Sequence, residues 1–501
     1  MEETSPPHVS RQYLVVNEEN SGSSNSVVKK SQTDKQEIKS VSMSEWVTVW
    51  ILCFVNLINY MDRTTIAGVL PEIQEQFQIK NGSSGLLQTA FIVSYMIFAP
   101  LFGYLGDRYN RKIIMSVGVF IWCLTTLLGS YMETFGTFIL FRMCVGIGEA
   151  SYSTIAPTII SDLFVKDTRS KMLALFYFAI PVGSGLGYIT SGKIAQATGK
   201  WYWGLRITPG LGILAILLIL LFVRDPARGE KEGGSHISST SWSIDIKELL
   251  KNPSFMLSTG GFTCVAFVTG ALTLWAPKFL QLGIKLQKSE TDLATDDVSF
   301  IFGVIAMLAG LLGVPLGSVL AQKLRVRYHQ ADPLICAVGI LISVPLIFFA
   351  LITANTNATL CYILIFFGQL ALNLTWSIVA DILLYVVIPT RRSTAEAFQI
   401  LVAHALGDAG SPYIIGLMSE GLKPALTPLG PFDDFAALTE FRCLQYSLFL
   451  TIFFEVLGGF FFLLTAIFIE KDKAVVDLTM AVHELVSSLE LNPLYVSDEF
   501  K

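Results

Sequence analysis

The residues whose chemistry stands out in this sequence are ionisable ones set in apolar surroundings. Asn59-Tyr60-Met61-Asp62-Arg63 puts an acid and a base between the apolar runs 47–55 and 66–70, away from any end that would reach water unaided. On insertion scales each ionised group near a bilayer centre costs about 2.5–3.5 kcal/mol, and such groups face a bundle interior or a water-filled path. Asp62 and Arg63 are therefore either a self-neutralising structural pair or part of a transport pathway. Arg142, Gly146 and Glu149 recur at spacings of four and three, which puts them on one helical face. Gly146, Gly148, Ala150, Ser151 and Ser153 keep that helix narrow enough for a close neighbour. With the Asp62 segment as that neighbour, protonating Asp62 or Glu149 would free an arginine to meet an anionic ligand. The alternative is a permanent salt-bridge lattice. Farther on, His404 and Asp408 lie one turn apart beside Gly407 and Gly410. A histidine titrates near neutrality, so His404 either joins a proton path or is packed and neutral.

These residues need a membrane scaffold to position them. Of 501 residues 52% are hydrophobic and 15% charged, and from Ser44 onward apolar stretches of bilayer-spanning length recur. They are expected near 46–70, 85–106, 112–131, 136–160, 170–194, 203–223, 255–280, 298–320, 332–353, 359–385, 394–419 and 443–469, about twelve helices. The pattern predicts an all-α, multi-pass integral membrane protein. A net charge of -5 says little when charges are sorted by membrane side, and nucleic-acid binding is not suggested. Cys53, Cys123, Cys144, Cys264, Cys336, Cys361 and Cys443 have no CxxC spacing, which favours packing roles over a metal site. No metal or cofactor is expected. No nucleophile or catalytic carboxylate pair points to an enzyme.

The organisation expected is a disordered cytosolic tail (1–44), an amino-terminal six-helix half (45–223), a cytosolic linker (224–252), a carboxyl-terminal six-helix half (253–470) and a cytosolic tail (471–501) carrying a short amphipathic helix. Basic residues set the orientation: Arg108, Arg111 and Lys112, then Lys166, Arg169 and Lys171, then Lys323, Arg325 and Arg327, then Arg391 and Arg392. Those loops, and both termini, should be cytosolic. Glu72, Glu75, Glu133, Glu290, Asp292, Asp296, Asp297, Asp433 and Asp434 mark the opposite side, where the sequons at Asn81 and Asn357 also fall.

The halves repeat. Gly148-Glu149, Asp162-Leu163 and Thr168-Arg169-Ser170 return as Gly368-Gln369, Asp381-Ile382 and Thr390-Arg391-Arg392-Ser393. Gly103-Tyr104-Leu105-Gly106-Asp107-Arg108-Tyr109-Asn110-Arg111-Lys112 has a fainter echo at 317–325, where Ala321 replaces the aspartate. Related six-span halves imply a central cavity between them. The first of these loops resembles the signature of the major facilitator superfamily. Gly103 would let two helices approach, and Asp107, Arg108 and Arg111 would form a gating latch that parts as the halves rock.

A narrower likeness lies in 59–63, 148–157, 176–188, 387–395 and 406–413. These runs resemble the Spinster family across 46–470. The resemblance implies a lipid transporter, since the family includes lysosomal proton-linked exporters of lysophospholipids and a cell-surface exporter of sphingosine-1-phosphate. It implies a lysosomal or plasma membrane location, and Asp62, Arg63, Arg142 and Glu149 match the family's central charged residues. Gly368-Gln369-Leu370 departs from the family's Gly-Glu-Thr, and the cysteine pair of many vertebrate members is missing from 281–297, so coupling should lean on the amino-terminal half. The function expected is secondary-active movement of a lysophospholipid or sphingolipid by alternating access, linked to protons. Asp62, Glu149 and His404 would serve coupling, and Arg63 and Arg142 the substrate head. A small-organic-anion transporter and a non-transporting receptor or scaffold are the other readings.

Overall fold

A computed structural model of the chain describes residues 42–164, 166–226, 242–287, 297–388, 391–426 and 434–490. The amino-terminal tail, most of the linker, and Glu290, Asp292, Asp296 and Asp433 lie outside the described residues, as does the side chain of Asp107. The described regular structure is helical: α1 (Met43–Gly68), α2 (Leu70–Phe77), α3 (Asn81–Arg108), α4 (Arg111–Gly129), α5 (Phe135–Leu163), α6 (Lys166–Thr198), α7 (Tyr202–Phe222), α8 (Trp242–Leu250), α9 (Pro253–Lys285), α10 (Val298–Arg325), α11 (Ala331–Thr353), α12 (Ala358–Asn373), α13 (Thr375–Val386), α14 (Arg392–Ala403), α15 (Ser411–Leu426) and α16 (Asp434–Glu490). Counting α12–α13 as one span and α14–α15 as another, ten helices among the described residues are long and apolar enough to cross a bilayer. The other two long helices are α1 and α5. The polar residues that lower their hydropathy include Asp62, Arg63, Arg142 and Glu149, the cost expected of helices that carry a buried polar site.

Local chemistry sets the helix ends. Ser42 and Glu45 form a reciprocal capping box at the start of α1, and Asn110, Thr134, Asn252 and Asn357 cap α4, α5, α9 and α12. The first span ends at Gly68, and Pro71 opens α2. Several boundaries differ from expectation. The tenth span breaks at Leu374, the linker contains α8, and the last span continues as one helix to Glu490 rather than stopping near 470.

Without water to drive helices together, close approach rests on small residues. A Cβ on Gly183 would fall 2.4 Å from the Leu57 carbonyl oxygen, and one on Gly187 2.3 Å from that of Met61, so α6 lies directly on the α1 backbone. The halves meet in the same manner: Gly185 and Gly303 bring α6 against α10, and Gly85 brings α3 against Pro412 on α15. These contacts, with Asn81–Ser419, Gly82–Glu420, Thr89–Ala409 and Ser299–Gly68, belong to the part of the bundle away from Met43. This far mouth is closed.

Candidate functional site

α1 and α5 bring the four central charges together, and they pair crosswise. Arg63 Nε donates to Glu149 Oε2 at 2.7 Å, and Arg142 Nη1 donates to Asp62 Oδ2 at 3.1 Å. Each helix supplies one acid and one base, so the cluster is neutral, but every ion pair in it is made between the two helices. Thr208 of α7 donates from Oγ1 to Asp62 Oδ1 at 2.6 Å. The burial is unequal: Asp62, Arg142 and Glu149 are 1%, 3% and 0% exposed, whereas the Arg63 side chain is 16% exposed. Its guanidinium lies 4.8, 4.9 and 5.3 Å from the ring centres of Tyr60, Tyr95 and Phe91, and Phe91 also lies 5.1 Å from Arg142. Arg63 is the most exposed member of the cluster. Arg142, expected with Arg63 at the substrate head, is enclosed by Asp62 and Phe91 in this conformation and pairs with Asp62.

The carboxyl-terminal half contributes His404, at the start of a π-helical turn spanning His404–Asp408. Its Nδ1 lies 2.8 and 2.9 Å from the two carboxylate oxygens of Asp408. The wide turn, a feature frequent at functional sites, is seated by Gly407, where a Cβ would fall 2.7 Å from Ala266 Cβ. Tyr95 joins the two sets of charges. Its ring meets His404 edge-on at 6.0 Å, faces Arg63, and its hydroxyl lies 2.8 Å from Ser153 Oγ. Sequence reading missed Tyr95, Phe91 and Thr208, and no motif marks them; Tyr60 was visible inside the pentapeptide. An apolar recess in the carboxyl-terminal half is lined by Leu272, Ala276, Phe302, Ile347 and Leu448, with Gln369 its polar lining residue.

At the terminus-facing edge, the loop residues act within one half. Arg111 is buried and donates from Nη1 to Asp162 at 2.6 Å and from Nε to Asp225 at 3.0 Å. Arg325 repeats the arrangement with Asp332 at 2.8 Å and Asp381 at 2.9 Å. Arg108 is exposed and stacks on Tyr104 at 4.0 Å. A Cβ on Gly103 would meet nothing within 4 Å, so the close helix approach expected there is not made while the halves stand in this arrangement. Asn81, read as a glycosylation acceptor, is 1% exposed and hydrogen-bonded to Ser419, whereas Asn357 is exposed.

Comparison with known proteins decides the family. Residues 52–412 match the Major Facilitator Superfamily. The chain is 58% identical to protein spinster of Drosophila melanogaster over 477 residues, covering 87% of this chain and 79% of that protein. It belongs to the Spinster family. Protein spinster homolog 1 of Homo sapiens is 55% identical over 436 residues, covering 85% of this chain and 81% of that protein. The fold of this Spinster-family transporter matches a bacterial homolog to the human lysosomal transporter Spinster, solved in an inward-facing and unoccupied conformation. That match has a TM-score of 0.74 at 21% identity and covers 86% of this chain and 98% of the other.

Proposed function

We propose that this protein is a secondary-active transporter that moves a lysophospholipid or sphingolipid across a lysosomal or plasma membrane by alternating access, linked to protons. The observation that carries the reading is the unequal exposure of the crossed pairs. Arg63 stands at the edge of the cluster among aromatic rings, where a guanidinium can take an anionic head group, while its partner Glu149 is sealed behind it. Protonating Glu149 releases Arg63 to the ligand, and an anionic ligand on Arg63 favours a neutral Glu149, so each event promotes the other. Asp62 is the second coupling acid, held by Arg142 and Thr208, and His404 with Asp408 offers a third exchange site across Tyr95.

With the basic loops and the termini taken as cytosolic on the positive-inside pattern, the closed far mouth supports reading this as a cytosol-facing arrangement. The loop from Gly103 to Arg111 works as a gating latch when the halves close on that side, with Asp107 and Arg108 as the moving contacts. Purified protein in vesicles should take up labelled lysophospholipid or sphingoid phosphate, faster under a pH gradient. Uptake of neither lipid, with or without the gradient, overturns the proposal. Competition by water-soluble organic anions instead of lipids would move it to the small-anion reading.

A further inference from the structure

Among the described residues, the closed far mouth contains one buried cation, outside the central cluster. Lys278, near the far end of α9, is 4% exposed. Its Nζ donates to Glu440 Oε1 at 2.6 Å on α16, to Asn81 Oδ1 at 2.8 Å on α3, and to Gln74 Oε1 at 2.5 Å on α2. An ammonium has three donors, and all three are used. Two acceptors belong to the amino-terminal half and one to Lys278's own half. The neutral acceptors are themselves fixed: Gln74 Nε2 donates to Asn81 Oδ1 at 2.9 Å and to Ser84 Oγ at 2.6 Å, and Asn81 Nδ2 donates to Ser419 Oγ at 3.0 Å.

We propose that Lys278, bonded across the interface to Gln74 and Asn81, is the gating residue that holds the far mouth shut. The asymmetry of its partners is the reason. If the halves part at this mouth, Gln74 and Asn81 leave with the amino-terminal half, while Glu440 moves with Lys278. The bonds lost are to neutral amides and the ion pair is kept, so opening strands no unpaired charge. Water entering the mouth replaces the two amide oxygens. An ion pair that does cross this mouth, Lys193–Asp297, has side chains 42% and 40% exposed; a solvated pair of that kind contributes little. The buried lysine carries the clamp.

The inference rests on the alternation proposed above, and the test separates the two. Spin labels at Gln78 and Gly421 report the far mouth; labels at Tyr109 and Val326 report the terminus-facing one. Wild-type protein in lipid nanodiscs should show mainly the short far-side distance. Lys278→Met, which leaves Glu440 with Lys423 and Lys285 nearby, should raise the ratio of long to short far-side distances by about fivefold, the effect of one net hydrogen bond. Asn81→Ala should do the same without changing a charge. The double variant should shift by clearly less than the sum of the two single ones, since they share the Lys278–Asn81 bond. Unchanged distances in both single variants, or a fully additive double variant, overturn the role of Lys278. Alternation itself is overturned by a different result: far-side and terminus-side distances that never change in opposite senses in any variant.

Discussion

Neutralising Asp62 should harm this protein far more than neutralising Glu149, although both acids are buried at the same depth of the bundle. In Asp62→Asn the Arg142 guanidinium stays where it is, 3% exposed, with its hydrogen-bonded counter-ion gone and Nε and Nη2 already without hydrogen-bond partners. Breaking a buried pair by removing one partner costs about 3–5 kcal/mol. The Phe91 face, and Glu149 two turns along the same helix, place the value near the lower end, about 3 kcal/mol. In Glu149→Gln the stranded base is Arg63, which is partly exposed and stacked on Tyr60 and Tyr95. Water and the rings compensate it, leaving a loss of about 1 kcal/mol. For a half-bundle of this size the first change lowers the midpoint of thermal unfolding by on the order of 5–10 °C and the second by a few degrees. The assay is tryptophan fluorescence of detergent-solubilised protein during heating. Asp62→Asn/Arg142→Gln should recover most of the first loss, because the double change strands nothing. Equal losses for the two acids, or a double variant no better than Asp62→Asn, would refute the crossed pairing.

Glu149→Gln, being tolerated, should retain lipid exchange in vesicles but lose its acceleration by a pH gradient; a gradient response of wild-type size would remove Glu149 from the coupling. Arg111→Met should destabilise by about 3 kcal/mol, since it leaves Asp162 and Asp225 facing each other around a buried site. Arg325→Met should likewise cost about 3 kcal/mol, because it strands Asp332, which is 2% exposed; the same heating experiment checks both. Gly187→Ala should reduce folded yield on size-exclusion chromatography, because its Cβ would fall 2.3 Å from the Met61 carbonyl oxygen. Gly103→Ala should fold with unchanged yield, its Cβ meeting open space, yet slow turnover as the terminus-facing mouth closes; normal turnover would take Gly103 out of the latch. Treatment with an endoglycosidase should leave the mobility of an Asn357→Gln variant unchanged, because Asn81 is buried; a shift would show that Asn81 is modified before the far mouth forms.

The spans were legible because lipid demands long apolar helices, and the central charges because lipid penalises every ion that lacks a reason to be there. Asp62, Arg63, Arg142 and Glu149 announce themselves by type and surroundings. Which acid meets which base does not: helical spacing gives the face of each helix, but not the rotation and height of α1 against α5, and a small change in either would exchange the pairs. Tyr95 and Phe91 look like any aromatic residue of an apolar span. Lys278 was hidden for the opposite reason, since a lysine near the end of a span reads as an anchor at the membrane surface. The repeat was more informative than its weak echo suggested. Arg111 and Arg325 occupy equivalent places in Gly103–Arg111 and 317–325, and each meets the aspartate that the repeat aligns, Asp162 and Asp381. The lost aspartate at Ala321 obscured that match, because attention falls on the motif's acid rather than on its last base. Asn81 satisfies a sequon by three letters, while its burial depends on α15, more than three hundred residues away.

The last helix gives the molecule a lever arm. At 1.5 Å per residue, the 57 residues of α16 span about 85 Å, against a hydrocarbon layer of roughly 30 Å. The stretch from Ile469 to Glu490 alone is about 32 Å long, and it is continuous with the helix whose far end carries Glu440. A rotation of the carboxyl-terminal half by about 15°, the size seen when subunits of other proteins reorient, would swing the tip through roughly 8 Å. A displacement too small to see at the buried charges would thus be magnified outside the bilayer, where a fluorophore near Glu490 could read each stroke without touching the transport path.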